Sequence, residues 1–220
     1  MITLTTFRSV PPFAAGYVRD LRVRWALEEA GLPYSVRLIG FEEAATPAYR
    51  REQPFGQIPV LQDGAATLFE TGAILLHLGQ RCPVLLPRDT DANPDARAQV
   101  TVWMFAALNS VEPYLARLAE LDVFSADEKW APAARPGLEA MAFKRLRDLD
   151  DWLAGRDWLA GDFSAADILM ASVLRLLDGK QMVERCERLH AYQVRCTQRP
   201  AFKKALADQL DLYGQVATAA

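Results

Sequence analysis

The hydrophobic pattern changes character near residue 85, and that change restricts the possible folds more than any other feature of the sequence. Before it, short β-prone runs alternate with helical ones; after it, apolar residues recur at helical spacing almost to the end. Residues 2–7 are rich in β-branched side chains and stop before a Pro-containing loop over 8–16. A helical face follows, carried by Leu21, Trp25 and residues 27–30 and stopped by Gly31 and Pro33. Residues 34–39 alternate as a second strand, and Thr46-Pro47 reads as an N-cap with proline at the first helical position. Residues 56–61 form a third strand that begins at a proline. Asp63-Gly64 signals a hairpin returning over 67–69, and residues 70–81 form a helix with Ile74, Leu75 and Leu78 inward. The order is that of a small mixed sheet with flanking helices.

From Asn93 the pattern is helical. Asn93-Pro94-Asp95 opens a long helix carrying Val100, Trp103, Ala107, Val111, Leu115 and Leu118, which Pro113 should kink. Leu138, Met141, Leu149, Trp152 and Leu153 mark another helix, closed near Gly155. Residues 164–177 and 189–210, the latter interrupted by Pro200, supply more. Residues 83–92, rich in proline and aspartate, read as a linker.

Composition narrows the function. A net charge of −3 argues against a general nucleic-acid binder. Of the 25 basic residues 20 are arginine, which favours forked contacts wherever an anion is held. Cys82, Cys186 and Cys196 are far apart and form no C-x-x-C pair, and His77 and His190 are the only histidines. A dithiol redox motif, a cysteine zinc site and a histidine-rich metal site are therefore not expected. The first seven residues lack the charged flank and apolar core of a signal peptide, and no apolar run approaches the ~20 residues that span a bilayer. A cytoplasmic protein with no metal, no membrane association and no nucleic-acid partner is the expectation.

Three short motifs carry more. A cis bond at Pro59, in Gln57-Ile58-Pro59, would leave the Ile58 main chain free to pair with a peptide-like ligand; the plainer reading is a trans proline capping a strand. Glu70-Thr71 places a carboxylate and a hydroxyl at a strand-to-helix junction, where helix N–H groups favour an α-carboxylate and an acid meets an α-amino group. The plainer reading there is a helix cap and a solvated acid. Ser164-Ala165-Ala166-Asp167 after Phe163 is a capping box with Asp in place of Glu, and its meaning is structural.

Together these residues resemble the cytosolic glutathione transferase superfamily, over nearly the whole chain. Residues 53–61 (QPFGQIPVL) are similar to the family's cis-proline strand, and 68–74 (LFETGAI) to its acid–hydroxyl motif. Residues 158–167 (WLAGDFSAAD) resemble its helical capping box, and Arg199-Pro200-Ala201 a late Arg-Pro-Ala stretch. The resemblance implies a thioredoxin-like α/β N-terminal domain over 1–82, an all-α C-terminal domain over 93–214, and a homodimer. It implies glutathione as co-substrate, attacking an apolar electrophile in a detoxification reaction. Carried over by position, Ile58 would contact the cysteinyl part of glutathione, with Pro59 cis. Gln57 would touch its backbone or carboxylates, and Glu70 and Thr71 would hold the γ-glutamyl amino and carboxylate groups.

The sequence departs from the family at the thiol-activating position. No Ser-Ser-Cys run precedes the first helix; a long loop stands there instead. Counting back from Gly31 selects Tyr17, a phenol at a helix N-terminus suited to donating to a thiolate; counting forward from the first strand selects Thr6, Phe7 or Ser9, of which Ser9 is the second candidate. Arg19, Arg22 and Arg24 cluster at the start of the helix, where solvation is the expectation. Phe13, Trp103, Phe105 and Tyr114 suit either an apolar substrate pocket or core, and His77 reads as packed. With no cysteine near the first helix, the family's glutathione-dependent reductases are disfavoured. A non-catalytic binding or interaction module, and a specialised glutathione-dependent lyase or dehalogenase, are the rival readings.

Overall fold

The computed structural model describes residues 1–90 and 93–219. Its elements fall into two compact units, residues 1–86 with 199–220 and residues 87–198. Positions 91 and 92 of the expected 83–92 linker lie outside the described residues.

The first unit is built on a four-stranded sheet of order β2-β1-β3-β4. Strand β1 (Ile2–Phe7) pairs in parallel with β2 (Tyr34–Ile39), from Ile2 opposite Tyr34 to Phe7 opposite Ile39. On its other side β1 runs antiparallel to β3 (Val60–Asp63), with Thr5 opposite Val60. Strand β4 (Ala66–Leu68) returns antiparallel beside β3. A parallel pair needs a crossover, and α1 (Asp20–Ala30) supplies it. Every α1 residue from Asp20 to Leu27 is buried, so this helix is central rather than half-solvated. It ends at Gly31, whose φ of 61° lets its N–H turn back to the Leu27 and Glu28 carbonyls.

Strand residues 2–7 and 34–39 match the expectation. The third strand starts at Val60 rather than residue 56, because the preceding residues are tied to their own loop instead of the ladder. Thr46 does cap, its Oγ1 accepting from the Tyr49 N–H at 3.3 Å, yet the expected helix is one tight turn, Tyr49–Arg51. A four-residue helix, α2 (Phe41–Ala44), was not legible. Helix α3 (Thr71–Gly79) buries Ile74, Leu75 and Leu78 as expected.

Helix α9 (Pro200–Ala219) belongs to this same unit, where it packs along α1. Trp25 meets Phe202 edge-on at 4.8 Å, and Arg199 forks onto Glu29 at 2.6 and 2.7 Å. The Arg-Pro-Ala stretch thus seats the last helix on the first. Sheet and flanking helices make the first unit a mixed α/β layer, and the expected division into an α/β part and an all-helical part is present.

The second unit is helical: α4 (Ala96–Phe105), α5 (Glu112–Phe124), α6 (Ala131–Trp152), α7 (Ala165–Leu174) and α8 (Glu187–Thr197). The bend expected at Pro113 is a π-helical stretch, Ala106–Val111, that widens the turn just ahead of the proline with no N–H to give. Helix α7 is buried throughout except Ser172. Its capping box forms: Asp167 accepts from the Ser164 N–H at 2.9 Å while Ser164 caps in return. The other Asp167 oxygen takes the Leu159 N–H at 3.1 Å and the Tyr192 hydroxyl at 2.9 Å. One carboxylate thereby ties α7, α8 and the loop after α6 together.

Candidate functional site

One end of the sheet gathers the functional motifs, as the strand directions require. Strand β3 is antiparallel to β1 and β4 to β3, so the end of β1, the residues entering β3 and the residues leaving β4 share an edge. Phe7, Ile58 and Phe69, one from each, pack on a common cluster of Ile39, Ala44, Tyr49 and Val60.

The loop entering β3 is held from beneath. Gln53, 3% exposed, accepts from the Phe55 N–H at 2.7 Å and the Gln57 N–H at 3.2 Å. The Tyr49 hydroxyl donates to the Gln57 carbonyl at 2.7 Å. Burial pushes that phenol up to about 12, so it stays a donor throughout the physiological range. Gly56 has a φ of 68°, and a Cβ there would lie 2.8 Å from the Ala44 carbonyl oxygen, so no larger residue fits. The Ile58–Pro59 peptide is cis. Among the described residues the Ile58 N–H and C=O have no hydrogen-bond partner, and the Gln57 side chain is exposed beside them. A rigid loop therefore presents an unpaired main-chain donor and acceptor, the requirement for adding a short peptide as a strand.

Beside it stands the start of α3. Glu70 is exposed, caps nothing with its side chain, and adopts φ 67° and ψ 118°, backbone that an L residue enters only under constraint. Thr71 is 5% exposed, and its Oγ1 accepts from Arg22 Nη1 at 3.4 Å. The first α3 N–H groups, the Thr71 hydroxyl and a buried guanidinium make this corner suited to a carboxylate, with the Glu70 acid suited to an adjacent ammonium.

Arg22 and Arg24 correct the expectation that the helix-1 arginines are solvated. They are 4% and 3% exposed; only Arg19 is on the surface. Arg24 pairs with the buried Asp20 at 2.7 Å, while Arg22 turns to Thr71. No local pattern signals this, because neighbouring helical positions point about 100° apart and the arginines are buried only by the elements that pack around α1.

The two thiol-activating candidates lie in the loop between β1 and α1. Ser9 is exposed two residues beyond β1, at the end of the sheet where Ile58 lies. Tyr17 precedes α1 by three residues; its N–H donates to the Ala14 carbonyl at 2.9 Å and its side chain is 43% exposed. The loop contains one tight turn, Pro12–Ala14, and Phe13 is 56% exposed rather than core. His77 is packed: its Nε2 lies 2.8 Å from Asp63, which Arg81 also engages. All three cysteines are buried and none is in a disulfide. Among the described residues no helix is long and apolar enough to cross a membrane.

Comparison with known proteins gives a consistent result. Residues 13–80 match the family model of the glutathione S-transferase N-terminal domain. Glutathione S-transferase 1 of Zea mays is 33% identical over 161 residues, 69% of this chain and 72% of that protein. Glutathione S-transferase 4 of Zea mays is 29% identical over 193 residues, 83% and 85% of the two chains. A theta class glutathione S-transferase from Xanthomonas axonopodis pv. citri, solved with glutathione bound, superimposes with a TM-score of 0.77 at 27% identity, covering 93% of this chain and 96% of that one.

Proposed function

The chain belongs to the glutathione S-transferase superfamily, and from that premise we propose that it is a glutathione transferase whose first unit binds reduced glutathione and directs the bound thiolate at an apolar electrophile. The observation that carries this reading is the meeting, at one sheet edge, of the unpaired Ile58 main chain, the constrained Glu70 and the Thr71–Arg22 corner. A γ-glutamyl-cysteinyl-glycine tripeptide has the complementary groups: an α-amino and α-carboxylate pair at one end and a peptide unit beside the thiol.

In this reading the Ile58 N–H and C=O pair with the cysteinyl residue, Pro59 shapes that approach, and Gln57 contacts the tripeptide backbone or a carboxylate. Glu70 takes the γ-glutamyl ammonium. Thr71 and the α3 N-terminus take its carboxylate, with Arg22 in support. The cysteinyl thiol is thereby fixed beyond Ile58, toward the end of β1. Tyr17, or Ser9 in its place, donates a hydrogen bond to the sulfur and favours the thiolate; the thiol proton leaves to solvent. The thiolate pair then forms a carbon–sulfur bond; in a substitution the leaving group departs with its bonding pair, and in an addition the displaced π pair of the electrophile takes a proton from water. Holding the thiolate beside its target supplies the rest of the rate gain. The wider reading keeps residues 1–82 as the glutathione-binding domain and 93–214 as the helical domain. The protein acts as a cytoplasmic homodimer in detoxification, without a metal.

Calorimetric titration of reduced glutathione, with the ultraviolet absorbance of the bound thiolate followed against pH, tests the proposal. Wild type is expected to bind and to hold the thiol below the ~8.5 of free cysteine, and Tyr17→Phe to bind equally but raise that value. Absence of binding by the wild type overturns the reading. An unchanged thiol in Tyr17→Phe removes Tyr17 and passes the role to Ser9 or a main-chain amide.

A further inference from the structure

The loop carrying Tyr17 turns at Pro12–Ala14, and the Tyr17 N–H closes onto the Ala14 carbonyl at 2.9 Å. A further hold on its main chain comes from α9. Gln209, 0% exposed, accepts the Gly16 N–H on Oε1 at 3.1 Å. Its Nε2 donates to the Val18 carbonyl at 3.2 Å and to Asp20 Oδ1 at 2.6 Å. One planar amide thus takes a main-chain donor from the residue before Tyr17 and a main-chain acceptor from the residue after it. Both amide hydrogens and the oxygen are used, as a buried amide requires. Its third partner, Asp20, is the first residue of α1 and is tied to Arg24, so the same amide aligns the loop with the helix that brings Arg22 to Thr71. Gly16 has a φ of 83°, which turns the chain at the clamped position.

We propose that Gln209 is a positioning residue for thiol activation: by clamping the main chain on either side of residue 17, it sets where the Tyr17 side chain and the neighbouring amides stand relative to the bound sulfur. The proposal rests on the glutathione transferase reading above. An activating hydrogen bond needs its donor at ~3 Å from the sulfur site, and a displacement of ~1 Å in a loop is enough to lose it.

The test compares wild type, Gln209→Met, Tyr17→Phe, the double variant and Tyr213→Phe, using the pH titration of bound glutathione thiolate, kcat and KM for glutathione with a chromogenic aryl halide, and thermal midpoints. Tyr213 is on the same helix, its hydroxyl 3.5 Å from Thr6 Oγ1 rather than on the loop, so its variant reports what a loosened α9 alone does. Gln209→Met is expected to raise the thiol pKa and lower kcat while KM for glutathione changes less than twofold. It should add little to Tyr17→Phe, and Tyr213→Phe should leave the thiol at the wild-type value. A raised thiol pKa in Tyr17→Phe with none in Gln209→Met overturns the positioning role and leaves the function standing. A shift in Gln209→Met without one in Tyr17→Phe supports the clamp but moves activation to the main chain. No shift in either overturns both roles while glutathione binding stands, and absence of binding by the wild type overturns the premise and the clamp together. If Gln209→Met does not fold, Gln209→Asn replaces it. Its amide is one methylene shorter, so it cannot span the Gly16 and Val18 groups together, it adds no charge beside Asp20, and it is read against the same controls with the same expected direction.

Discussion

Glu70 offers a test in which stability and binding should move in opposite directions. Its φ of 67° and ψ of 118° are backbone for which a side chain costs about 1–3 kcal/mol. Glycine is free of that strain but loses more entropy on ordering, about 0.5–1 kcal/mol. Replacing Glu70 also removes an acid from the α3 N-terminus, so the informative comparison is Glu70→Gly against Glu70→Gln, both of which lack the charge. The difference leaves the glycine variant more stable by about 1 kcal/mol, which for a chain of this size is ~2–4 °C in melting midpoint. Both should bind glutathione more weakly than wild type. A hydrogen bond to a charged group contributes about 1.5–3 kcal/mol, and each ~1.4 kcal/mol is tenfold, so the loss is of order 10- to 100-fold. Scanning calorimetry without ligand and calorimetric titration with reduced glutathione read the two effects separately. A glycine variant that melts at or below the glutamine variant would refute the strain argument. Wild-type affinity in either variant would refute the contact with the γ-glutamyl ammonium.

Two further outcomes are expected. Asp167→Asn keeps the shape of the buried carboxylate but turns an amide NH2 toward one of its donors; leaving the Ser164 or Leu159 N–H unpaired should cost about 1–3 kcal/mol, and an unchanged denaturation midpoint would contradict this. The hydrogen bond from His77, with Arg81 beside it, holds the Asp63 carboxyl below its usual range, so its stabilisation is complete above the unfolded value near 3.8 and fades as the pH falls through the lower folded value. Asp63→Asn should therefore flatten the acid end of the stability profile, and an unflattened acid limb would refute the pairing.

What the sequence disclosed and what it concealed divide by range. Residues 2–7 and 34–39 were legible because β-branched alternation and the Gly31 and Pro33 stops act locally, and the Ser164–Asp167 box because it is complete within four residues. The Ile58 and Glu70–Thr71 motifs could be named from short stretches, but their meeting at one edge follows from strand order, which no single stretch contains. Thr46 shows the limit of local reading: the cap formed, and the helix behind it stopped after one turn because the chain must enter the Gln53 loop. Arg22 was in view but read as solvated, since its partner Thr71 is 49 positions away. Gln209 gave no signal at all. A lone glutamine on an amphipathic helix is ordinarily a surface residue, and only the return of α9 to the first unit buries it.

That return bears on how the protein is made. The contacts of Gln209 with Gly16 and Asp20 close spans of 193 and 189 positions, and Arg199 reaches Glu29 across 170. On the ribosome the sheet and α1 emerge well before α9, so the Asp20 carboxylate and the Trp25 indole wait for the helix that covers them. The intervening helical unit, whose contacts are nearer in sequence, can assemble during that interval. The first unit is therefore closed only after the chain of the second has been made, because its two stretches flank that unit in sequence.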